Sequence, residues 1–151
     1  MDINGFFGLV MRFLHIGSVA GLVGGMLYAY FAATPVLNAL PPAERANAAK
    51  CAQGRFRNIL YSLLFLVVIS GLYNGFGPSA PHHTSQWQMW FGIKMLFVLH
   101  IISAAILWAV SPYGDVAVEG KGKRRLIGLV ISGFITIFIG DYLRYLTAHG
   151  F

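Results

Sequence analysis

Cysteine and acidic side chains are both scarce in this 151-residue sequence. Cys51 is the only cysteine, so one chain can form no disulfide and cannot supply the thiolates of an iron–sulfur cluster or a cysteine-ligated zinc site. Charged residues make up 11% of the chain, and only five residues are acidic. Such a composition is far from that of an average soluble domain. These scarcities exclude a disulfide framework and an ordinary soluble globular fold.

The sequence is instead rich in long hydrophobic runs. Hydrophobic residues make up 57% of the chain, and the mean hydropathy is +0.67. The apolar runs cover residues 5–32, 57–77, 88–110 and 125–147. Each is close to the ~20 residues that span a bilayer, and the first has neither the basic start nor the cleavage site of a signal peptide. The sequence therefore predicts one all-α membrane domain over residues 1–151, an up-down four-helix bundle.

The basic residues lie in only two of the connections, although the net charge is +6. They are Arg45, Lys50, Arg55 and Arg57 around the first connection, and Lys121, Lys123, Arg124 and Arg125 in the third. Residues 77–87 and the N-terminal tail contain no Lys or Arg. The positive-inside rule then places both termini on the outer, periplasmic side of a bacterial inner membrane. Basic residues beside a membrane attract anionic lipid, so the expected partner is the bilayer and not a nucleic acid.

Two histidines, His15 and His100, lie inside the first and third apolar runs. Intramembrane ionisable residues are rare and mark functional sites. At ~1.5 Å per residue both histidines are about 15–18 Å from the outer ends of their helices. Because these two helices are diagonal in an up-down bundle, facing imidazoles could supply both axial positions of a haem. Alternatively, each imidazole could simply bond a carbonyl or hydroxyl of a neighbouring helix.

Two cations lie nearer the outer surface than these histidines. Arg12 precedes His15 by three residues, and Lys94 precedes His100 by six. Either cation could pair with a haem propionate, whereas an unpaired cation at that depth is costly. In a variant of this arrangement, Lys94 replaces His100 as an axial ligand. No Cys-x-x-Cys-His motif occurs, so the expected cofactor is a non-covalent haem b.

Further polar residues lie near the outer side. Asp141 and Arg144 are spaced for an i,i+3 ion pair, or could join Trp90 around a propionate or a quinone head group. The adjacent His82 and His83 could bind copper, although two ligands are few and solvated loop residues are the simpler interpretation.

Three stretches resemble the copper-resistance D superfamily and the related HemJ-type protoporphyrinogen oxidases. His15 is followed by Gly24-Gly25, and the second run begins with Arg-Phe and ends with the stretch from Ser70 to Tyr73. The third run contains Trp90 and Lys94 in a W-x-x-x-K pattern. For the HemJ type, the resemblance implies a b-type haem with His15 and Lys94 essential, although this chain has no second His at the end of the first run. For the copper-resistance type, it implies copper handling across the inner membrane.

The leading prediction is a four-helix membrane cytochrome b, with His15 and His100 as axial ligands. Its expected function is one-electron transfer, either with quinone or as a subunit of a larger membrane redox complex. The short connections leave no soluble catalytic domain, which favours the subunit role. One alternative is a copper transport or resistance protein, and another is an assembly subunit without a cofactor.

Overall fold

The computed structural model describes residues 3–77, 84–110 and 121–149, the last range in side-chain detail from residue 124. The helices are α1 (Ile3–Tyr28), α2 (Thr34–Ala39), α3 (Pro42–Phe76), α4 (Ser85–Val110) and α5 (Lys121–His149). A π-helical turn, Ala29–Ala33, joins α1 to α2. The stretches Ile3–Ala39, Pro42–Phe76, Ser85–Val110 and Arg124–His149 are each long and apolar enough to cross a membrane. The prediction of an all-helical chain with four candidate membrane spans is confirmed.

The first two helical stretches extend beyond the apolar runs that predicted them. The first continues through the π-helical turn to Ala39, and α3 begins at Pro42 instead of near residue 57. The polar segment from Pro42 to Gly54 forms the opening turns of α3. Its alanine-rich composition favours helix, and proline is well tolerated in the first turn. Hydropathy marks the part of a helix that fits hydrocarbon, so it misses a polar extension of the same helix.

The bundle consists of two antiparallel hairpins that meet along looser interfaces. Helix α1 packs mainly on α3, and α4 packs mainly on α5. The contacts of α1 with α5, and above all those of α3 with α4, are fewer. In the first hairpin Phe7 packs edge-on against Tyr73, and at the other end Gly25 lies against Phe56. This order of neighbours places α1 and α4 diagonally, as in an up-down bundle.

Buried apolar side chains form two clusters at different levels of the bundle. The Leu60 cluster comprises Leu22, Met26, Leu60, Leu64, Ala104, Ala105, Trp108, Ala109, Leu126 and Leu129. The Trp87 cluster comprises Trp87, Ile139, Leu143 and Leu146. On α5, the buried Ser132 lies between these two levels. Ser18 on α1 and Ser70 on α3 are also buried, so the interior contains polar side chains as well as apolar ones.

Aromatic residues occupy the core as well as the surface. Tryptophan is enriched at membrane interfaces, but the side chain of Trp108 is only 3% exposed and belongs to the Leu60 cluster. It packs edge-on against Phe56 with ring centroids 5.5 Å apart, and its carbonyl accepts a hydrogen bond from Gln53. Large apolar side chains such as Phe13 and Phe138 are instead exposed. An apolar surface of this extent is expected of helices that face lipid or a partner.

Candidate functional site

His15 is anchored to α3 through one of its ring nitrogens. Its Nδ1 lies 3.2 Å from the Val67 carbonyl oxygen and 3.1 Å from Ser70 Oγ. A carbonyl oxygen can only accept, so Nδ1 carries the hydrogen and donates it. The Ser70 hydroxyl donates in turn to the Leu66 carbonyl, which leaves its oxygen free to accept from His15. In the neutral ring the lone pair is then on Nε2, which no hydrogen bond reaches within the described residues.

The His15 ring also packs closely against the backbone of α3. A Cβ atom built on Gly71 would lie 3.1 Å from the Cε1 atom of His15, which is tighter than an ordinary van der Waals contact. A larger residue at Gly71 would therefore push the ring away from α3. The glycine and the two hydrogen-bond acceptors together fix where the imidazole lies.

Lys94 is the second ionisable group at this level, and it comes from α4. It is partly buried, and the contacts of Gly71 with His15 and of Gly75 with Phe91, one turn from Lys94, place it near the level of His15. Its Nζ lies 3.2 Å from the position of a Cβ atom on Gly140. No acidic side chain of the described residues pairs with it. Since a lysine at the centre of a membrane helix costs about 2.5–3.5 kcal/mol on insertion scales, an unpaired one indicates a function.

These groups form what we call the His15–Lys94 site, which consists of His15, Ser70, Gly71, Lys94 and Gly140. His15, Ser70 and Gly71 belong to the α1–α3 hairpin, whereas Lys94 and Gly140 belong to the α4–α5 hairpin. The site therefore lies where the two hairpins meet and helix packing is least extensive. It combines a nitrogen lone pair, an amine and a buried hydroxyl, with two glycines that make room for the His15 and Lys94 side chains.

His100 lies elsewhere on α4. Its side chain is exposed, and its Nε2 lies 4.0 Å from the position of a Cβ atom on Gly128. Six residues separate it from Lys94, which corresponds to about 9 Å along a helix. The structure thus brings Lys94 to the level of His15, where the sequence predicts His100. Counting residues from the ends of apolar runs ignores the axial offset between helices, and packing determines that offset.

The remaining predicted residues in the described ranges lie around the periphery. Arg12 is exposed on α1, and Asp141 and Arg144 are exposed on α5. No ion pair joins Asp141 to Arg144 in the described part of the chain, which fits the small stability that exposed pairs contribute. Trp90 packs edge-on against Tyr142, with ring centroids 5.1 Å apart, beside the Trp87 cluster. Within the described residues, the hydrogen bonds of His15 go to Val67 and Ser70 and to none of these side chains.

Two predicted copper ligands, His82 and His83, lie outside the described residues. Within residues 3–77, 84–110 and 121–149, no group of three or more His, Cys, Asp or Glu side chains could hold a metal ion. Sequence reasoning missed Gly140, and it noted Ser70 only as part of a family pattern. The available signal for Ser70 was a hydroxyl followed by Gly71 in the middle of an apolar run.

Comparison with known proteins assigns neither a family nor a function to this chain. No family model, no curated protein and no solved structure matches this chain. The similarity to copper-resistance D and HemJ-type proteins therefore rests on short motifs and stays a prediction. The geometry of the His15–Lys94 site is the main basis for a functional proposal.

Proposed function

We propose that this chain is a membrane-embedded b-type haem protein that transfers single electrons, with His15 as an axial ligand of the iron. The observation that carries the proposal is the bonding of the His15 ring. Metal-binding histidines almost always donate their other ring N–H to a carbonyl, carboxylate or water. His15 donates its Nδ1–H to the Val67 carbonyl and to Ser70, which leaves Nε2 available as a ligand.

Lys94 is our candidate for the second axial position. It lies near the level of His15 on the other hairpin, and it has no acidic partner among the described residues. A neutral amine, like a neutral imidazole, offers a nitrogen lone pair to a metal. His100 is the weaker candidate because its side chain is exposed and lies further along α4.

The two glycines of the site make room for the two candidate ligands. The His15 ring lies against the backbone of Gly71, and the Lys94 Nζ atom lies against that of Gly140. Small residues allow a close approach to a helix inside the membrane. The contacts between α3 and α4 are also few, so ligand insertion there would break little existing packing.

When bound, a haem supplies one-electron redox chemistry, and the chain supplies ligation and an apolar environment. The four candidate membrane spans make up almost all of the described residues. We therefore propose quinone, or a partner subunit of a larger membrane redox complex, as the electron partner. Exposed aromatic and aliphatic side chains along the spans, such as Phe13 and Phe138, provide the apolar surface that such a partner requires.

The test is a visible spectrum of the chain purified from native membranes, recorded oxidised and then after reduction with dithionite. We expect a sharp α band and a shifted Soret band on reduction, with about one haem per chain. A featureless spectrum in both states would contradict the proposal. Copper analysis of the same sample would then separate a copper-handling protein from an assembly subunit without a cofactor.

The choice between Lys94 and His100 as second ligand gives a separate prediction. We expect Lys94→Ala to convert the low-spin spectrum to a high-spin one, because one axial ligand is lost. His100→Ala should leave the α band unchanged. The opposite pattern would restore the bis-histidine arrangement that the sequence predicts.

The membrane orientation can be tested with the natural cysteine. Cys51 is exposed in the polar opening turns of α3, next to basic residues that favour the cytoplasm. We expect a membrane-impermeant maleimide to label Cys51 in inverted vesicles and not in intact spheroplasts. In a Cys51→Ser background, a cysteine introduced at the exposed Ser85 should show the reverse accessibility. Labelling of Cys51 from outside would place both termini in the cytoplasm.

A further inference from the structure

We infer that Ser70 is a positioning residue that selects the tautomer of His15 and so keeps Nε2 available to the iron. The inference rests on the proposed haem function, and it concerns a residue that would not itself contact the haem iron. Ser70 is 1% exposed, so its hydroxyl has no access to solvent and must bond within the protein. Its Oγ is 3.1 Å from the Nδ1 atom of His15.

The direction of each hydrogen bond follows from the acceptors. Ser70 donates its only hydroxyl hydrogen to the Leu66 carbonyl, one turn earlier on α3. The oxygen of Ser70 is then oriented to accept, and the group that faces it is Nδ1–H of His15. The Val67 carbonyl lies 3.2 Å from the same nitrogen and also can only accept. Two acceptors on one nitrogen thus favour the Nδ1–H tautomer over the Nε2–H tautomer.

The alternative tautomer would remove the iron ligand. If the Ser70 hydroxyl turned to donate to Nδ1, the ring hydrogen would move to Nε2, where it blocks coordination. That rotation would also deprive the Leu66 carbonyl of a bond from Ser70, although this carbonyl retains its helical partner. Donation from Nδ1–H further raises the basicity of Nε2, which strengthens a metal–nitrogen bond.

Substitution of Ser70 should therefore weaken haem binding without removing a ligand. Loss of such an orienting partner typically lowers metal affinity about 10-fold to 100-fold, and we expect this range for Ser70→Ala. Ser70→Thr retains the hydroxyl and should recover most of the affinity. Ser62 is the matched control, because it lies on the same helix, is exposed, and donates to the Asn58 carbonyl one turn earlier. Ser62→Ala should bind haem like the wild type.

A spectroscopic readout makes the test independent of haem. Side-chain ¹⁵N chemical shifts of histidine-labelled, full-length chain in detergent distinguish the two tautomers, and His15→Gln identifies the His15 signals. We expect the haem-free wild type to show Nδ1–H at His15, and Ser70→Ala to show a growing Nε2–H fraction. The Ser62→Ala spectrum should match that of the wild type.

The outcomes separate this inference from the proposed function. A wild type without haem contradicts the proposed function, while its ¹⁵N shifts still test the role of Ser70. An Nε2–H tautomer in the wild type overturns the inference even if Ser70→Ala fails to fold. A haem-bound wild type whose Ser70→Ala variant keeps both the affinity and the tautomer overturns the inference alone.

Discussion

Replacement of His15 by alanine is expected to abolish haem binding, from about one haem per chain to none. The imidazole is the only described side chain of the His15–Lys94 site that is both anchored by a hydrogen bond and left with a free ring nitrogen. Without His15, a non-covalent haem has only the Lys94 amine, which no hydrogen bond anchors among the described residues, and contacts to the apolar interior, and we expect these to be too weak to retain it through purification. The measurement is the ratio of Soret absorbance to protein after purification in the same detergent.

A fold defect would also remove haem, so the variant needs two controls. The carbonyl of Val67 and the hydroxyl of Ser70 keep their helical bonds without His15, so we expect a folded chain with wild-type helix content. Added imidazole should restore part of the Soret band by occupying the space that the substitution leaves beside Gly71.

His149 provides the matched variant for His15. Its Nδ1 atom also bonds a carbonyl, that of Tyr145 at 2.9 Å, but its side chain is exposed near the end of α5. His149→Ala should keep the full haem content. If His15→Ala retains its α band, the iron ligand lies elsewhere and the assignment of His15 is wrong.

Much of the fold could be predicted because one physical constraint determines it. A chain in hydrocarbon must satisfy its backbone internally, so four apolar runs of the right length imply four helices. Helix ends do not follow from that constraint, as the polar opening turns of α3 show. The burial of Trp108 also does not follow from the sequence, because tryptophan occurs both at membrane interfaces and in cores. Its packing against Phe56 shows that it belongs to the core.

The site could be predicted only in part, because its members depend on how helices are rotated and offset. His15 and Lys94 were identifiable as polar groups in apolar runs, which is a local property of the sequence. The residue opposite His15 could not be identified in this way. An axial shift of α4 by about two turns is enough to bring Lys94, instead of His100, to the level of His15. Arg12 illustrates rotation: it lies one turn from His15, yet its side chain is exposed beside Phe13 on the outside of the bundle.

Replacement of Gly25 by valine is expected to separate α1 from α3 and to destabilise the bundle. A Cβ atom on Gly25 would lie 2.9 Å from two ring atoms of Phe56, closer than such contacts occur. Phe56 cannot easily yield, because its ring packs edge-on against Trp108 in the Leu60 cluster. Overpacking of this kind typically costs about 1–3 kcal/mol, and the extra methyl groups of valine place the result at the upper end of that range. The measurement is the unfolding midpoint in a detergent titration.

The neighbouring residue, Gly24, provides the control for this prediction. A Cβ atom on Gly24 meets nothing within 4 Å, so Gly24→Val has the same change in side-chain volume and helix propensity without the clash. We expect Gly24→Val to unfold near the wild-type midpoint, and Gly25→Val to unfold earlier and to bind less haem. The reduced binding follows because His15 lies on the same helix and depends on α3 for its position. Equal midpoints for the two variants would mean that α1 and α3 do not pack as described, and the geometry of the His15–Lys94 site would then lose its support.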